Sequence, residues 1–520
     1  MKLFFNSKWV VPAAALTLFW VIEIFLIQEY TLDPKYPYNE TKWLVSRGIR
    51  FFLDFLFCIL IISFSHRLFL YVIFILTIIG SAVLTAYYEY FVRSLSLNTI
   101  IYQLKEGAQT GEFAIHLMNG WIVFALCLGF VTKIILYEKI KNVRPKLQHI
   151  LVPGILCLIL YLSTIVGINH FIDPLRKLQT FASVGRMGIT YGYMVTWLGE
   201  LWYLDNDKLL ARAVKTARTE TYDRLTPVEY PLRIKKDLVI IQMESLEFAI
   251  LDYYANGQPV TPFLNQLKEK SFFYKISAIH INGSADADFT ALTGLMPSPD
   301  TVTYKIKNYP YTETLARLAR KKGFASYAFH GASGYFFNRR YGFEQMGFDD
   351  FYFREELARD FGLKQDRWGV KDHDVLDLSL RLLKEKHDQK ILHFIITLTS
   401  HGPWIFLSKD EMKIFNNPEN IQENYINSME YLDHELKVYI SNLPKDTIVL
   451  LYGDHESKVD YTKNNKGPTS PQKQEWVPCF IYKVDNDLAQ KQATRNLKIS
   501  TSGELNLLDV ITYLRACINR

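Results

Sequence analysis

Hydrophobic positions along the chain fall into two regimes. Through residue 168 they gather into near-continuous runs at 9–27, 49–64, 68–88, 117–136 and 150–168, each reaching or approaching the roughly 20 apolar residues that cross a bilayer core. After Pro227 the runs shorten and alternate with amphipathic stretches. Residues 237–242, 325–329, 391–398, 447–452 and 477–482 have the length and composition of buried strands, while 261–270, 312–322, 372–386 and 421–442 have helical periodicity. Such alternation predicts a largely parallel sheet with helices on both faces. The pattern as a whole predicts a five-span helical membrane domain over 1–168, a helical connector over 169–225 and an α/β domain over 226–520.

A chain of 520 residues exceeds what one core serves, so more than one unit is expected. The first apolar run is expected to stay as an anchor, because four more follow and no small-residue cleavage site ends it. Lys2 and Lys8 precede the first run, His66 and Arg67 separate the second and third, and Lys133, Lys139, Lys141, Arg144 and Lys146 link the fourth to the fifth. Five crossings place these clusters on one side, which the positive-inside rule makes the cytoplasm. The N-terminus is then cytoplasmic and everything after residue 168 extracytoplasmic. The loop 28–48 runs against this with Lys35, Lys42 and Arg47, accompanied by Asp33 and Glu40. Glu23 and Asp54 lie within or near apolar runs, where burying an ionisable group is costly; a place close to the outer interface accommodates both. In the connector, the aromatics of 191–203 precede Lys208, Arg212, Lys215 and Arg218. That pattern suits an amphipathic helix resting on the headgroup layer or packed on the α/β domain.

The net charge of +6 is modest and its Lys and Arg residues are scattered, which argues against nucleic acid as a partner. Cys58, Cys127 and Cys157 sit in apolar runs. Cys479 and Cys517 form neither a zinc motif nor a disulfide framework, and a buried free thiol is expected at Cys479 rather than a bridge between them.

Chemistry concentrates where the strand-like runs end. LVIIQMES places Glu244 after one run, ITLTSHGPW places His401 after another, and VLLYGDHES places Asp454 and His455 after a third. With Ser284 in NGSADADF these supply two carboxylates, an imidazole and a hydroxyl, a set that suits Mn²⁺, Mg²⁺ or Zn²⁺. A serine hydroxyl is a weak nucleophile without a base or a metal, and no histidine in the Ser284 segment plays an obvious base role. Metal activation is the economical expectation. His330, Arg339 and His401 are then candidates to hold phosphoryl oxygens or to protonate a leaving group. Singly, each residue also suits a cap, a turn or a structural histidine; their joint order along the chain is what points to a shared site.

From about residue 236 to 515 the chain resembles the sulfatase-like catalytic domain of lipoteichoic acid synthases and related phosphoglycerol transferases, in the alkaline phosphatase superfamily. QMES carries the family's metal-binding glutamate at Glu244, and GDH its metal pair at Asp454 and His455. In FHGASGYFFNRRYGFEQMGFDDFY, His330, Asn338 and Arg339 fall where the family surrounds the lipid-derived headgroup, with Phe337 where a tryptophan is common. LTSHGP is similar to the substrate-binding histidine motif and nominates His401, while DRWGVKDHDVL resembles a WG-x-x-D element whose Trp368 and Asp372 are expected to be structural. The departure is Ser284, where lipoteichoic acid synthases carry threonine. A true sulfatase would need a C/S-x-P-x-R motif, and Ser284 is followed by Ala285, Asp286 and Ala287.

The resemblance implies a multi-pass bacterial membrane enzyme with one divalent metal, Mn²⁺ ahead of Mg²⁺ or Zn²⁺. It would move glycerol phosphate from phosphatidylglycerol through Ser284 to a glycan or polymer hydroxyl, releasing diacylglycerol. Two other functions compete with it. A phosphoethanolamine transferase acting on lipid A or a surface glycan would want acidic or aromatic walls around an amine. A silent headgroup-binding sensor has no use for the hydroxyl, carboxylates and histidine together.

Overall fold

The computed structural model describes residues 7–32, 40–64, 67–91, 94–97, 99–103, 105, 120–140, 148–172, 184–202, 206–222, 232–366, 368–386, 388–459, 474–485 and 504–519. Lys2, Asp33, Lys35, His66, Lys141, Arg144, Lys146 and connector residues 173–183, 203–205 and 223–231 lie outside them. Two compact units divide the chain, 1–104 with 110–204 and 105–109 with 205–520.

The first unit contains helices α1 (Ser7–Thr31), α2 (Glu40–Phe64), α3 (Arg67–Phe91), α4 (Gly120–Ile140), α5 (Gln148–Ile172) and α6 (Val184–Trp202). Among the described residues, three stretches are long and apolar enough to cross a membrane: Val11–Thr31, Leu68–Glu89 and Gly120–Lys139. The runs expected at 49–64 and 150–168 are also helical. Arg50 and Asp54 punctuate the former, and the described apolar stretch of the latter is the shorter Gly154–Val166. Several charged or polar groups among the described residues of this unit meet partners. Lys133 Nζ, fully buried, reaches Glu23 Oε2 at 2.5 Å; Glu29 meets Arg47 and Arg50; and Gln28 donates to Asp54 at 3.3 Å. Trp20, Phe74 and Tyr137 interlock edge to face around the apolar centre.

The predicted connector divides between the units. In α6, Ile189, Tyr191, Tyr193 and Val195 are buried within the helical unit. Helix α7 (Asn206–Tyr222) belongs to the second unit, where Leu210, Ala213 and Val214 pack on its core and Arg212 pairs with Asp300.

That second unit is built on a seven-stranded sheet. Its chain order runs β1 (Leu238–Met243), a two-stranded hairpin of β2 (Tyr254–Ala255) and β3 (Gln258–Pro259), α8 (Pro262–Lys270), β4 (Phe272–Ser277) and α9 (Ala285–Thr293). It continues through α10 (Leu315–Lys321), β5 (Phe324–His330), α11 (Arg339–Met346), β6 (Asp350–Tyr352), α12 (Arg354–Phe361), α13 (Asp372–Glu385) and β7 (Lys390–Ile396). Helix α14 (Ile421–Ser441), β8 (Ile448–Gly453), β9 (Trp476–Lys483) and α15 (Leu507–Asn519) complete it. The spatial order is β4-β9-β8-β1-β7-β5-β6. The strands from β8 to β6 are parallel, as expected for apolar runs such as β1, whose residues are all buried. Strands β9 and β4 run antiparallel at one edge, so the sheet is mixed. The sequence reading did not find β4, whose half-exposed face breaks the apolar run. Cys479 and Cys517 are buried and form no disulfide with each other.

Because β8, β1, β7 and β5 are adjacent and parallel, their carboxyl ends form one contiguous rim, where ligands gather in such sheets. The register pairs Met243 with Gly453, which brings Glu244 and Asp454 side by side. Gly453 makes this approach possible: a Cβ there would lie 2.1 Å from the Leu246 carbonyl oxygen and 2.9 Å from Val477 Cβ. Gly453→Ala is therefore expected to destabilise the α/β unit by about 1–3 kcal/mol, the usual cost of overpacking, read as a lower unfolding midpoint; an unchanged midpoint would show that the strand end yields freely.

Candidate active site

Strand β1 delivers Glu244 to the rim and β8 delivers Asp454 and His455, all three nearly fully buried. Their ligand atoms lie within 4.8 Å of one another. His455 Nε2 is 3.1 Å from Glu244 Oε1 and 3.7 Å from Asp454 Oδ2, and its Nδ1 lies 2.8 Å from the Glu456 carbonyl. Asp454 Oδ1 accepts the backbone N–H groups of Ser245 at 2.9 Å and His455 at 2.8 Å. Its other oxygen, Oδ2, is buried and accepts no hydrogen bond among the described residues.

Electrostatics follow from this crowding. Burial and the charge on Glu244 push the Asp454 carboxyl well above its usual range. For Glu244 burial also acts upward, but His401 and His455 outweigh it and hold the group below the usual carboxylate range. Burial favours neutral His455, yet the two carboxylates carry its pKa up to about 10. Two buried carboxylates with one imidazole and an unmatched oxygen are the surroundings a divalent cation satisfies. Glu244, Asp454 and His455 thus fit such an ion by donor type, spacing and the unpartnered Asp454 Oδ2.

Ser284 stands at the N-terminus of α9, where the helix dipole favours negative charge. Asp286 fixes the preceding loop by accepting the N–H groups of Ile281 at 2.9 Å and Asn282 at 2.5 Å. Gly283, at φ +134°, has Phe337 against it, and a Cβ would come within 2.6 Å of that ring. Ser284 Oγ accepts from Arg339 Nη2 at 3.1 Å, and Arg339 Nε donates to Asp288 Oδ2 at 2.7 Å, one helical turn beyond Ser284. Arg339 and Asp288 are both buried. Burial lifts Asp288 to about 6 even beside that guanidinium. Ser245, Phe337, Asn338 and Trp404 have φ of 56°, 56°, 62° and 56°, a concentration of unfavourable backbone typical of functional sites.

A cavity of about 340 Å³ opens over these groups, lined by Glu244, Ser284, His330, Arg339 and His401 together with Ser333, Tyr335, Arg354 and Trp368. Five of the eight residues expected at the site thus share one cavity, and Asp454 and His455 join it through Glu244. Asn338 does not line it; its amide donates to the Tyr304 carbonyl at 2.7 Å. His330 Nδ1 lies 3.0 Å from the Ile396 carbonyl, and burial and Arg339 bring its pKa down to about 3. A neutral ring donating from Nδ1 turns an accepting Nε2 to the cavity.

Trp368, expected to be structural, is instead part of the wall, its ring 5.6 Å from His401. Asp372 is structural, its carboxylate accepting the N–H groups of Leu398 at 2.7 Å and Thr399 at 2.9 Å and so shaping the turn that carries His401. The sequence reading missed Asp288, whose four-residue spacing from Ser284 on α9 was the available signal. It also missed Arg354, Ser333 and Tyr335, for which periodicity gave none.

A profile of the sulfatase family matches residues 236–502. Lipoteichoic acid synthase of Staphylococcus saprophyticus is 29% identical over 239 residues, 42% of this chain and 36% of the relative. Lipoteichoic acid synthase 2 of Bacillus subtilis is 24% identical over 390 residues, 71% of this chain and 59% of the relative. The chain therefore spans less than two thirds of the length of these relatives. Among solved structures, the integral membrane protein lipooligosaccharide phosphoethanolamine transferase A of Neisseria meningitidis shares the fold, with a TM-score of 0.52, 14% identity and coverage of 92% of this chain and 89% of that one.

Removing Asp288 leaves a buried guanidinium unpaired, so Asp288→Ala is expected to cost about 3–5 kcal/mol of stability. Chemical denaturation of wild type and variant measures it, and a loss below about 1 kcal/mol, the scale of a surface pair, would show that Arg339 finds another partner.

Proposed function

This chain belongs to the sulfatase family, and from that premise we propose that it is a membrane-bound, metal-dependent phosphoglycerol transferase. The observation that carries the reading is the buried Ser284 hydroxyl, held by Arg339 at a helix N-terminus in the same cavity as Glu244. No sulfatase-type C/S-x-P-x-R motif surrounds that serine. Relatives named lipoteichoic acid synthase, matched by sequence, favour glycerol phosphate as the transferred group.

Glu244, Asp454 and His455, with the Ser284 hydroxyl, would hold one divalent cation, Mn²⁺ ahead of Mg²⁺ or Zn²⁺, which would favour the serine alkoxide and offset charge on phosphoryl oxygens. Ser284 Oγ attacks the phosphorus of phosphatidylglycerol, the phosphorus–oxygen bond to diacylglycerol breaks, and that oxygen leaves with a proton. An acceptor hydroxyl on a glycan or polymer then attacks the serine-linked phosphorus and returns a proton to Ser284. Arg339 binds a non-bridging oxygen in both displacements. His330, with Nε2 accepting, orients a headgroup hydroxyl, and His401 moves the proton of the leaving group. Asn338, at the start of α11 immediately before Arg339, is fixed by its hydrogen bond to the Tyr304 carbonyl.

The charge on the walls argues against phosphoethanolamine transfer, although Tyr335, Phe336 and Trp368 supply aromatic faces of the kind an amine accepts. Arg339 and Arg354 line the cavity, and Glu244, its one carboxylate among the described residues, would be engaged with the cation. An ammonium headgroup meets two guanidinium groups and no free acid. The anchor follows from the substrate: five crossings with the N-terminus cytoplasmic put 226–520 outside a bacterial cytoplasmic membrane, where a lipid headgroup is accessible.

Mass spectrometry of the purified protein incubated with phosphatidylglycerol and Mn²⁺ tests this. A glycerol phosphate increment on the peptide containing Ser284 is expected, absent in Ser284→Ala and after chelation. An ethanolamine phosphate increment from mixed lipid would transfer the reading to the rival. Undiminished lipid turnover in Ser284→Ala would remove the serine from the mechanism, and no turnover or adduct in wild type would favour a silent sensor.

A further inference from the structure

Behind the carboxylates a second layer of side chains surrounds His455. The His280 ring lies parallel to it, 4.3 Å between centroids and 15° between planes. His280 Nδ1 is 3.4 Å from Glu475 Oε1. Glu475 is itself fixed, accepting the Glu456 N–H at 3.0 Å and pairing with Lys458 at 2.8 Å. Glu456 closes the circuit, its carbonyl beside His455 Nδ1 and its carboxylate accepting the Trp476 N–H at 2.8 Å. The His280 side chain is 2% exposed and that of Glu475 14%, so the ring is shielded from water and the tether partly so.

The chain position of His280 gives this contact its consequence. It precedes Ser284 by four residues, on the loop that Asp286 pins at Ile281 and Asn282. The same segment joins β9 where Ala278 N–H donates to the Glu475 carbonyl at 2.9 Å. One imidazole thus connects the loop carrying the nucleophile to the histidine of the metal centre. A flat contact on one face limits rotation of the His455 ring, and outer partners that orient a ligating imidazole commonly control metal affinity.

We propose that His280 is a positioning residue that holds the His455 ring in its ligating orientation and sets the Ser284 loop in register with it, with Glu475 as its tether. Cation binding and nucleophile placement then depend on one stacked pair. This rests on the metal-centre reading above and extends it to a residue that touches neither substrate nor ion.

The test is calorimetric titration of the full chain in detergent with Mn²⁺ alone. His280→Ala is expected to weaken Mn²⁺ binding about 10- to 100-fold, and His280→Phe, which keeps the flat contact and loses the tether, to recover most of that loss. If His280→Ala does not fold, His280→Leu takes its place against His280→Phe, since the two are both bulky and differ in stacking. Hydrogen exchange gives the second readout: Mn²⁺ should slow the Ile281 and Asn282 amides in wild type and fail to do so in the non-aromatic variant. Equal Mn²⁺ affinity in wild type and His280→Ala, or in His280→Phe and His280→Leu, overturns the inference while leaving the metal centre standing. A wild-type chain that takes up no divalent cation overturns the metal centre and this inference together.

Discussion

Two carboxylates buried side by side are the constraint around which the α/β unit is arranged. Like charges a few ångströms apart in a medium of low polarity repel by several kcal/mol, and no fold tolerates this without compensation. Here the adjacency is imposed by the sheet itself, since the Met243–Gly453 register makes Glu244 and Asp454 successive neighbours on the rim. Backbone N–H groups of Ser245 and His455 satisfy Asp454 Oδ1, and the imidazole of His455 satisfies Glu244 Oε1. What stays unmatched is Asp454 Oδ2. Burial, and then the neighbouring Glu244 charge, push the carboxyl of Asp454 toward its neutral form.

Opposite charges buried in the same unit behave differently. Asp288 and Arg339 compensate each other, and their pairing has a directional result because the guanidinium is a rigid fork. With Nε directed at Asp288, Nη2 is directed at Ser284 Oγ. Helix α9 fixes the distance between serine and aspartate, so the arginine is aimed by local helical spacing. The Ser284 hydroxyl, the proposed nucleophile, therefore meets a preorganised positive group before any ligand arrives, the arrangement that makes electrostatic catalysis effective.

Legibility in the sequence followed the range of the forces concerned. Apolar runs fixed by burial on both faces, such as β1, β7 and β8, were readable, and so were the polar residues that directly follow them, because the rim lies at a boundary that hydrophobicity marks. Edge strand β4 alternates less cleanly and escaped. Long-range contacts escaped too: nothing in local pattern announces that Trp368 stands over His401 or that Asn338 turns to Tyr304. The family resemblance supplied a neighbourhood for Asn338 and Trp368 but not the direction of their side chains. In the helical unit the apolar runs were readable as helices, yet Arg50 and Asp54 in α2 limit what length and composition alone say about crossing.

Comparing the buried charges of the two units separates architecture from chemistry. Glu23 with Lys133, and Glu29 with Arg47 and Arg50, join helices by pairing opposite signs, a use that needs nothing from outside the chain and that the apolar surroundings enforce. Asp288 with Arg339 obeys the same rule while also aiming a donor. At Glu244, Asp454 and His455 the rule is broken, because acids converge without an equal number of fixed cations. Evolution of a merely structural rim would replace one acid with an apolar or neutral group at no loss of packing. Two acids on one rim therefore fit the proposal that an external cation supplies the missing charge beside the Ser284 cavity.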